Sequence, residues 1–284
     1  SEVRQLGGEL AKCVKKIAPS IILFYKASDY ERFRYEDLAE DMKDLTSERS
    51  CKVSEAVSLI DYTRSGDDLI IAALLRTVGK TSFETCLNRV KRMMRAEKFH
   101  VLKTALHHMQ LYDTPPREFE YANLVFELIV SAACFAQLKR HRIATITSQL
   151  YNPALGVTLP DAIKLADEEK RFHDVIRQTE FFYDKIKNKD ELLAQYVLTN
   201  SHRKRVLVSC NLRELYHISR LREDVSAQWD IREVVGKMVE RAKEVMPLAC
   251  FLIGGKDKYP EIYKNVFGKF PKVVKAELPG VKKF

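Results

Sequence analysis

A chain of 284 residues is long enough for one large domain or two modest ones. It is 46% apolar and 31% charged, as in soluble globular proteins, and its net charge of +9 favours an anionic partner such as a nucleotide or phosphate cofactor. The longest apolar runs break within about a dozen residues, too short to cross a bilayer, so no membrane association is expected.

Residues 9–18 place Leu10, Val14 and Ile17 on one helical face, ended by Pro19. The charged stretch 30–54 reads as a largely helical connector. "VSLIDY" (57–62) reads as a short buried strand closed by the turn "RSGDD", where Asp67 or Asp68 is placed to cap a helix through "LIIAALLRTV". Ser82 starts another helix, with Phe83, Cys86, Leu87, Val90 and Met93 on one face. "NLVFELIVS" (123–131) reads as a strand followed by a helix from about 131 to 142. Residues 143–159 read as a loop.

Pro160 then opens one long helix, with Asp161 in its first turn. Its apolar stripe runs Ile163, Ala166, Phe172, Val175, Ile176, Thr179, Phe182, Ile186 and is most simply a core face. "RKRVLVSC" (203–210) alternates like a strand. Two helices follow, about 211–222 and 226–245, the second stopped by Pro247. The fold class is α/β or α+β: helix-rich, with a small central sheet and long helices. The domain is expected over 55–255, after a helical N-terminal segment (1–54) and before a basic C-terminal tail (256–284).

The six cysteines, Cys13, Cys51, Cys86, Cys134, Cys210 and Cys250, show no CxxC pair and no metal spacing. They read as free thiols in a reducing cytoplasm, and no metal is expected. Two polar clusters remain. Arg140, His141 and Arg142 are consecutive, so on a helix they fan over roughly 200°. At a helix-to-loop boundary they could divide among a diphosphate, a ribose and a ring; in isolation they are better read as a surface basic turn. In "NLRELYHISRLRED" (211–224), Arg213 and His217 stand four apart on neighbouring turns, near Asn211 and Arg222. That set suits a polar wall for an extended ligand, or a solvated amphipathic helix.

Together the clusters resemble the flavin-dependent thymidylate synthases. The family signature opens Arg-His-Arg, here Arg140 to Arg142. Its later segment, Asn-x-Arg, Leu-Arg and Ala-Gln-Trp-Glu-Ile, is matched by Asn211 and Arg213, by Leu221 and Arg222, and by "AQWDI" (227–231), which holds the only tryptophan, Trp229. A Thr-Pro followed by Phe-Glu is matched by "TPPREFE" (114–120). The resemblance covers roughly 55–250. It implies an FAD protein that uses NADPH and methylenetetrahydrofolate to methylate dUMP to dTMP, in an assembly whose sites lie between subunits.

Carried over residue by residue, the resemblance implies that Thr114, Arg140, His141, Arg142, Asn211, Arg213 and His217 hold FAD. It implies that Gln137, Arg140 and Arg222 contact dUMP, with Arg222 as the catalytic group that ionises the uracil ring. The rest of the signature departs. Its two serines, asparagine, glutamate and closing arginine fall on Thr145, Leu150, Thr147, Ser148 and Asn152, and a further phosphate-facing arginine falls on Gln195. Tyr112 and Ser226 replace two histidines. No arginine or lysine lies between Arg142 and Lys164.

Gly8 and Gly236, and Pro19 and Pro247, share an offset of 228 residues, as do Arg4 and Arg232, Lys15 and Lys243, and Asp29 and Asp257. Such a repeat suggests that 1–40 is the end of a preceding copy of the same fold, in a tandem or homo-oligomeric assembly. Three readings follow: a thymidylate synthase-like enzyme, a degenerate copy with a structural or regulatory role, or a flavoprotein acting on another nucleotide. Nucleic acid is not an expected partner, since no groove-reading motif is present.

Overall fold

The structure is a computed structural model that describes residues 2–22, 25–46 and 55–272. Two units are separated by their internal contacts, 1–52 and 53–284. The first holds α1 (Glu2–Ile17), α2 (Asp29–Asp41) and α3 (Lys43–Thr46). Helix α2 begins with a capping box: Ser28 Oγ accepts from Glu31 N, and the Glu31 carboxylate accepts from Ser28 N. The rest of the expected connector, 47–54, and the tail beyond 272 lie outside the described residues, as does Cys51.

The second unit is built on a four-stranded sheet in the order β1-β2-β4-β3: β1 (Val57–Tyr62), β2 (Asn123–Ser131), β3 (Thr145–Ser148) and β4 (Arg203–Asn211). Every pairing is antiparallel, so of the two expected classes the fold is α+β. Its helices are α4 (Gly66–Val78), α5 (Phe83–Arg92), α6 (Arg95–Ala105), α7 (Ala132–Leu138), α8 (Asp161–Leu165), α9 (Glu169–Lys187), α10 (Glu191–Ala194), α11 (Leu212–Arg222), α12 (Trp229–Val245) and α13 (Tyr259–Phe267).

The long central strands explain the core. Leu124, Phe126, Leu128 and Val130 of β2 and Val206, Val208 and Cys210 of β4 point to one face and are buried. Helix α12 packs against that sheet and against α7 and α11, burying Ile231, Val234, Val235, Met238, Val239 and Ala242. Polar side chains tie the helix ends together. Ser131 Oγ caps α7 by accepting from Cys134 N and donates to the buried Asp230 of α12. Asp67 accepts from the backbone N–H groups of Leu248 (3.1 Å) and Ala249 (2.7 Å), just past Pro247.

Several expectations need correction. β1 is an edge strand and only Val57 is buried, because a single neighbour covers it. Neither Asp67 nor Asp68 caps α4; Ser65 stands at its N-terminus, while Asp68 pairs with Lys98 at 2.6 Å. The 143–159 loop contains a strand, because Thr145–Ser148 pairs with the free edge of β4. The helix after β2 stops at Leu138 rather than near 142. The long helix from Pro160 is broken: Asp167 takes a left-handed conformation (φ 57°) between α8 and α9. Its stripe is not a core face, since Ile176 is buried but Val175 and Phe182 are exposed. Residues 256–272 are not a tail, for α13 buries Tyr259 and Tyr263, whose hydroxyls donate to the carbonyls of Met109 and His107. Cys86, Cys134, Cys210 and Cys250 are free and buried, and Cys13 is free and exposed.

Two consequences are measurable. Asp67→Ala strands two N–H groups and is expected to destabilise the domain by about 1–3 kcal/mol in urea unfolding. His202 is fully buried; its Nδ1 accepts from Thr199 N at 3.0 Å, and its Nε2 faces Glu180 Oε1 at 3.7 Å. Burial lowers its pKa below the ordinary 6.5. The unfolded chain therefore takes up this proton first, and the stabilising contribution of neutral His202 is lost as pH falls below 6.5. The stability advantage of wild type over His202→Asn should shrink between about pH 8 and about pH 5.

Candidate functional site

Two helices capped by strand-end residues carry the polar clusters. Asn211 closes β4, and its Oδ1 caps α11 by accepting from Glu214 N at 2.8 Å. Asn211 is therefore already engaged through one side-chain atom, leaving its amide nitrogen as a donor. Arg213, in the first turn of α11, spreads its fork over the Thr-Pro element. Nε donates to Pro115 O (2.8 Å), Nη2 to Thr114 Oγ1 (2.9 Å) and Nη1 to Glu120 Oε1 (3.2 Å). Hydrogen bonding from Arg117, and then from Arg213, lowers the pKa of Glu120. Thr114, Asn211, Arg213 and His217 line one cavity of about 340 Å³ with Ile143 and Glu214.

The second group lies where α7 and α11 end. Arg222 donates from Nε to His141 Nε2 (3.0 Å) and from Nη1 to Gln137 Oε1 (2.9 Å). His141 Nε2 therefore accepts, which places the ring proton on Nδ1 in the neutral tautomer. That Nδ1 faces Glu214 Oε1 at 3.7 Å, with both side chains buried. The rings of His141 and His217 meet edge-to-face at 5.9 Å, joining this group to the cavity. Burial first, and then the Arg140 guanidinium, lower the pKa of Arg222. No carboxylate pairs with Arg222 among the described residues. Arg222 is thus a partly buried cation held by neutral groups, and a developing anion would relieve its field.

Of the expected site residues, Thr114, Asn211, Arg213 and His217 are brought together, and so are Gln137, His141 and Arg222. Arg140 is exposed and acts on Arg222 through its charge. Arg142 is exposed in the turn beside Ile143, and no contact joins it to the others. Glu214, Glu120 and Lys204 carry weight that the sequence reading missed. Glu214 reads as an ordinary first-turn acid, and only packing shows it buried against His141. Lys204 is the one buried lysine among the described residues; its Nζ lies 4.5 Å from the centre of the Phe135 ring and 4.3 Å from that of Tyr151. Burial, and then Lys139, lower its pKa.

The departing positions serve the loop. Asn152 Oδ1 accepts from Ala154 N at 3.0 Å. Gln195 brackets the Tyr151 backbone, accepting from its N–H at 2.9 Å and donating to its carbonyl at 3.3 Å. Thr145, Thr147 and Ser148 sit on β3 and are exposed.

A four-stranded antiparallel sheet that delivers two strand-capped helices to one polar site defines the class, and similarity to known proteins agrees with it. The thymidylate synthase complementing protein family matches residues 58–248, and the chain belongs to that family. A UPF0159 protein of Thermoplasma acidophilum is 27% identical over 230 residues, covering 75% of this chain and 45% of that protein. The chain therefore spans less than half the length of that relative. A flavin-dependent thymidylate synthase of Sulfurisphaera tokodaii is 28% identical over 213 residues, covering 70% of this chain and 77% of that protein. The crystal structure of a UMP/dUMP methylase, PolB, from Streptomyces cacaoi bound with 5-Br dUMP shares the fold, with a TM-score of 0.53 and 17% identity over 70% of this chain and 95% of that one.

Arg213→Ala should release the Thr114–Pro115 segment. Amide exchange is expected to accelerate over 112–118 while β2 stays protected; unchanged exchange there would show that the segment holds itself.

Proposed function

We propose that this domain binds FAD and a uracil nucleotide and acts as a flavin-dependent thymidylate synthase-like methyltransferase. The observation that carries the reading is Arg222: partly buried, lined up by Gln137 and His141, and lacking a carboxylate partner among the described residues. A guanidinium so placed stabilises negative charge on an imide ring, which raises the nucleophilicity of carbon 5. The donor set of the neighbouring cavity suits a flavin. Arg213 and Thr114 form a fixed polar wall, Asn211 keeps its amide donors, and His217 lines the same cavity. A bound flavin supplies the electrons, drawn from NADPH, that reduce the methylene of methylenetetrahydrofolate on dUMP. Residues of this chain bind and orient: Arg213 fixes the wall, and His141 holds Arg222 through its neutral Nε2. A cavity of about 340 Å³ leaves part of such a ligand to be covered by another subunit or domain.

A second reading, a copy of the fold without turnover, is favoured by one observation. Asn152 and Gln195 are neutral, and both spend their side chains on the 151–154 backbone. Losing charge-assisted bonds of about 1.5–3 kcal/mol each would weaken phosphate binding by orders of magnitude.

Flavin absorbance of the purified protein and dUMP titration decide between the two. The first reading expects visible FAD binding, with Arg222→Ala keeping the flavin but weakening dUMP about 10- to 100-fold. Colourless protein in the presence of added FAD would overturn the cofactor assignment. Flavin binding with saturation only at millimolar dUMP would favour the copy without turnover.

A further inference from the structure

Helix α1 presents an apolar face that nothing in its own unit hides. Val3 is 70% exposed, Leu6 60%, Leu10 58% and Val14 42%. Water is an unfavourable surrounding for such a face on a sixteen-residue helix. Helix α12 shows what the same pattern does when covered. At the offset of 228 residues, Val3, Leu6, Leu10 and Val14 correspond to Ile231, Val234, Met238 and Ala242, each of which is at most 5% exposed.

The correspondence extends to the backbone. Helix α1 ends at Ile17 and α12 at Val245, which are equivalent positions. Beyond each helix the same hydrogen bond closes the last turn: Ala18 N donates to Val14 O, and Met246 N to Ala242 O, both at 2.8 Å. Pro19 and Pro247 then follow at equivalent positions. The two helices thus share a period, an end point, a closing bond and a following proline.

We propose that α1 is the last core helix of a preceding copy of this fold in the same polypeptide, and that the sheet of that copy covers its apolar face. The length of the Thermoplasma relative, of which this chain covers 45%, leaves room for such a copy. In the second unit the equivalent face is covered by β1 and β2 with α7 and α11, so the occupant is a sheet with its two strand-capped helices. Exposed residues Lys12, Lys15 and Lys16 lie off that face and remain in water. The proposal is independent of whether either copy binds flavin.

The test uses the natural polypeptide from its source cells. Intact mass is expected to show roughly one further domain upstream of Ser1. An N-terminus within a few residues of Ser1 overturns the proposal. In that natural chain, Leu6→Lys with Leu10→Lys should abolish the thermal transition of the upstream unit and make it protease-sensitive, since two buried ammonium groups would have no partner. The same pair in the 284-residue chain should leave the melting of 55–272 unchanged. An upstream unit that melts normally with both lysines in place equally overturns the proposal.

Discussion

The antiparallel pairing of β2 with β4 is the constraint on which the site depends. Nine residue pairs run from Asn123 opposite Asn211 to Ser131 opposite Arg203. Each strand's last residue is the N-cap of the next helix, Ser131 for α7 and Asn211 for α11. The helices therefore start at opposite ends of a pairing about 30 Å long. Running back over the sheet at about 1.5 Å per residue, seven residues of α7 and eleven of α11 nearly close that distance. Gln137 and His141 meet Arg222 there. A slip of one residue in the ladder would turn the buried face outward and move both caps.

Once the ends meet, electrostatics shapes the site. Glu214 is buried in the first turn of α11, where the helix dipole favours a carboxylate. It faces the protonated nitrogen of His141, whose other nitrogen receives Arg222. A carboxylate, a neutral imidazole and a guanidinium thus stand in line, with the imidazole fixed by its two neighbours. Burial and the Arg140 guanidinium both act against the charge on the partly buried Arg222, which its two neutral partners hold in place. The Thr-Pro element is tied to the same helix by Arg213, so α11 carries both the cavity wall and Arg222.

Much of this was legible in the chain. The apolar run "NLVFELIVS" and the alternating "RKRVLVSC" appear as β2 and β4, and Ser82 and Pro247 bound helices as expected. His141 of the first cluster and Arg222 of the second meet, which their separation in sequence only suggested. Other features were hidden for identifiable reasons. Thr145–Ser148 is too short and polar to signal a strand; the unpaired edge of β4 makes it one. The stripe on 163–186 has helical spacing but breaks at Asp167, a residue type that tolerates a left-handed backbone without any proline or glycine to announce it. The tyrosines of α13 sit among lysines, so a buried helix read as a basic tail.

What the sequence determined by itself is local: where helices and strands form, because periodicity and capping act within a few turns, and which residues repeat at an offset of 228. It also carried the family, because the motifs at 114–120, 140–142, 211–222 and 227–231 are side-chain patterns. Tertiary structure alone decided which polar groups are buried and what they face. Glu214 opposite His141, Lys204 between two rings and Arg222 on His141 are contacts between residues about 50 to 80 positions apart. Burial and partnership depend on how the sheet brings its helices together, and no local pattern encodes that distance.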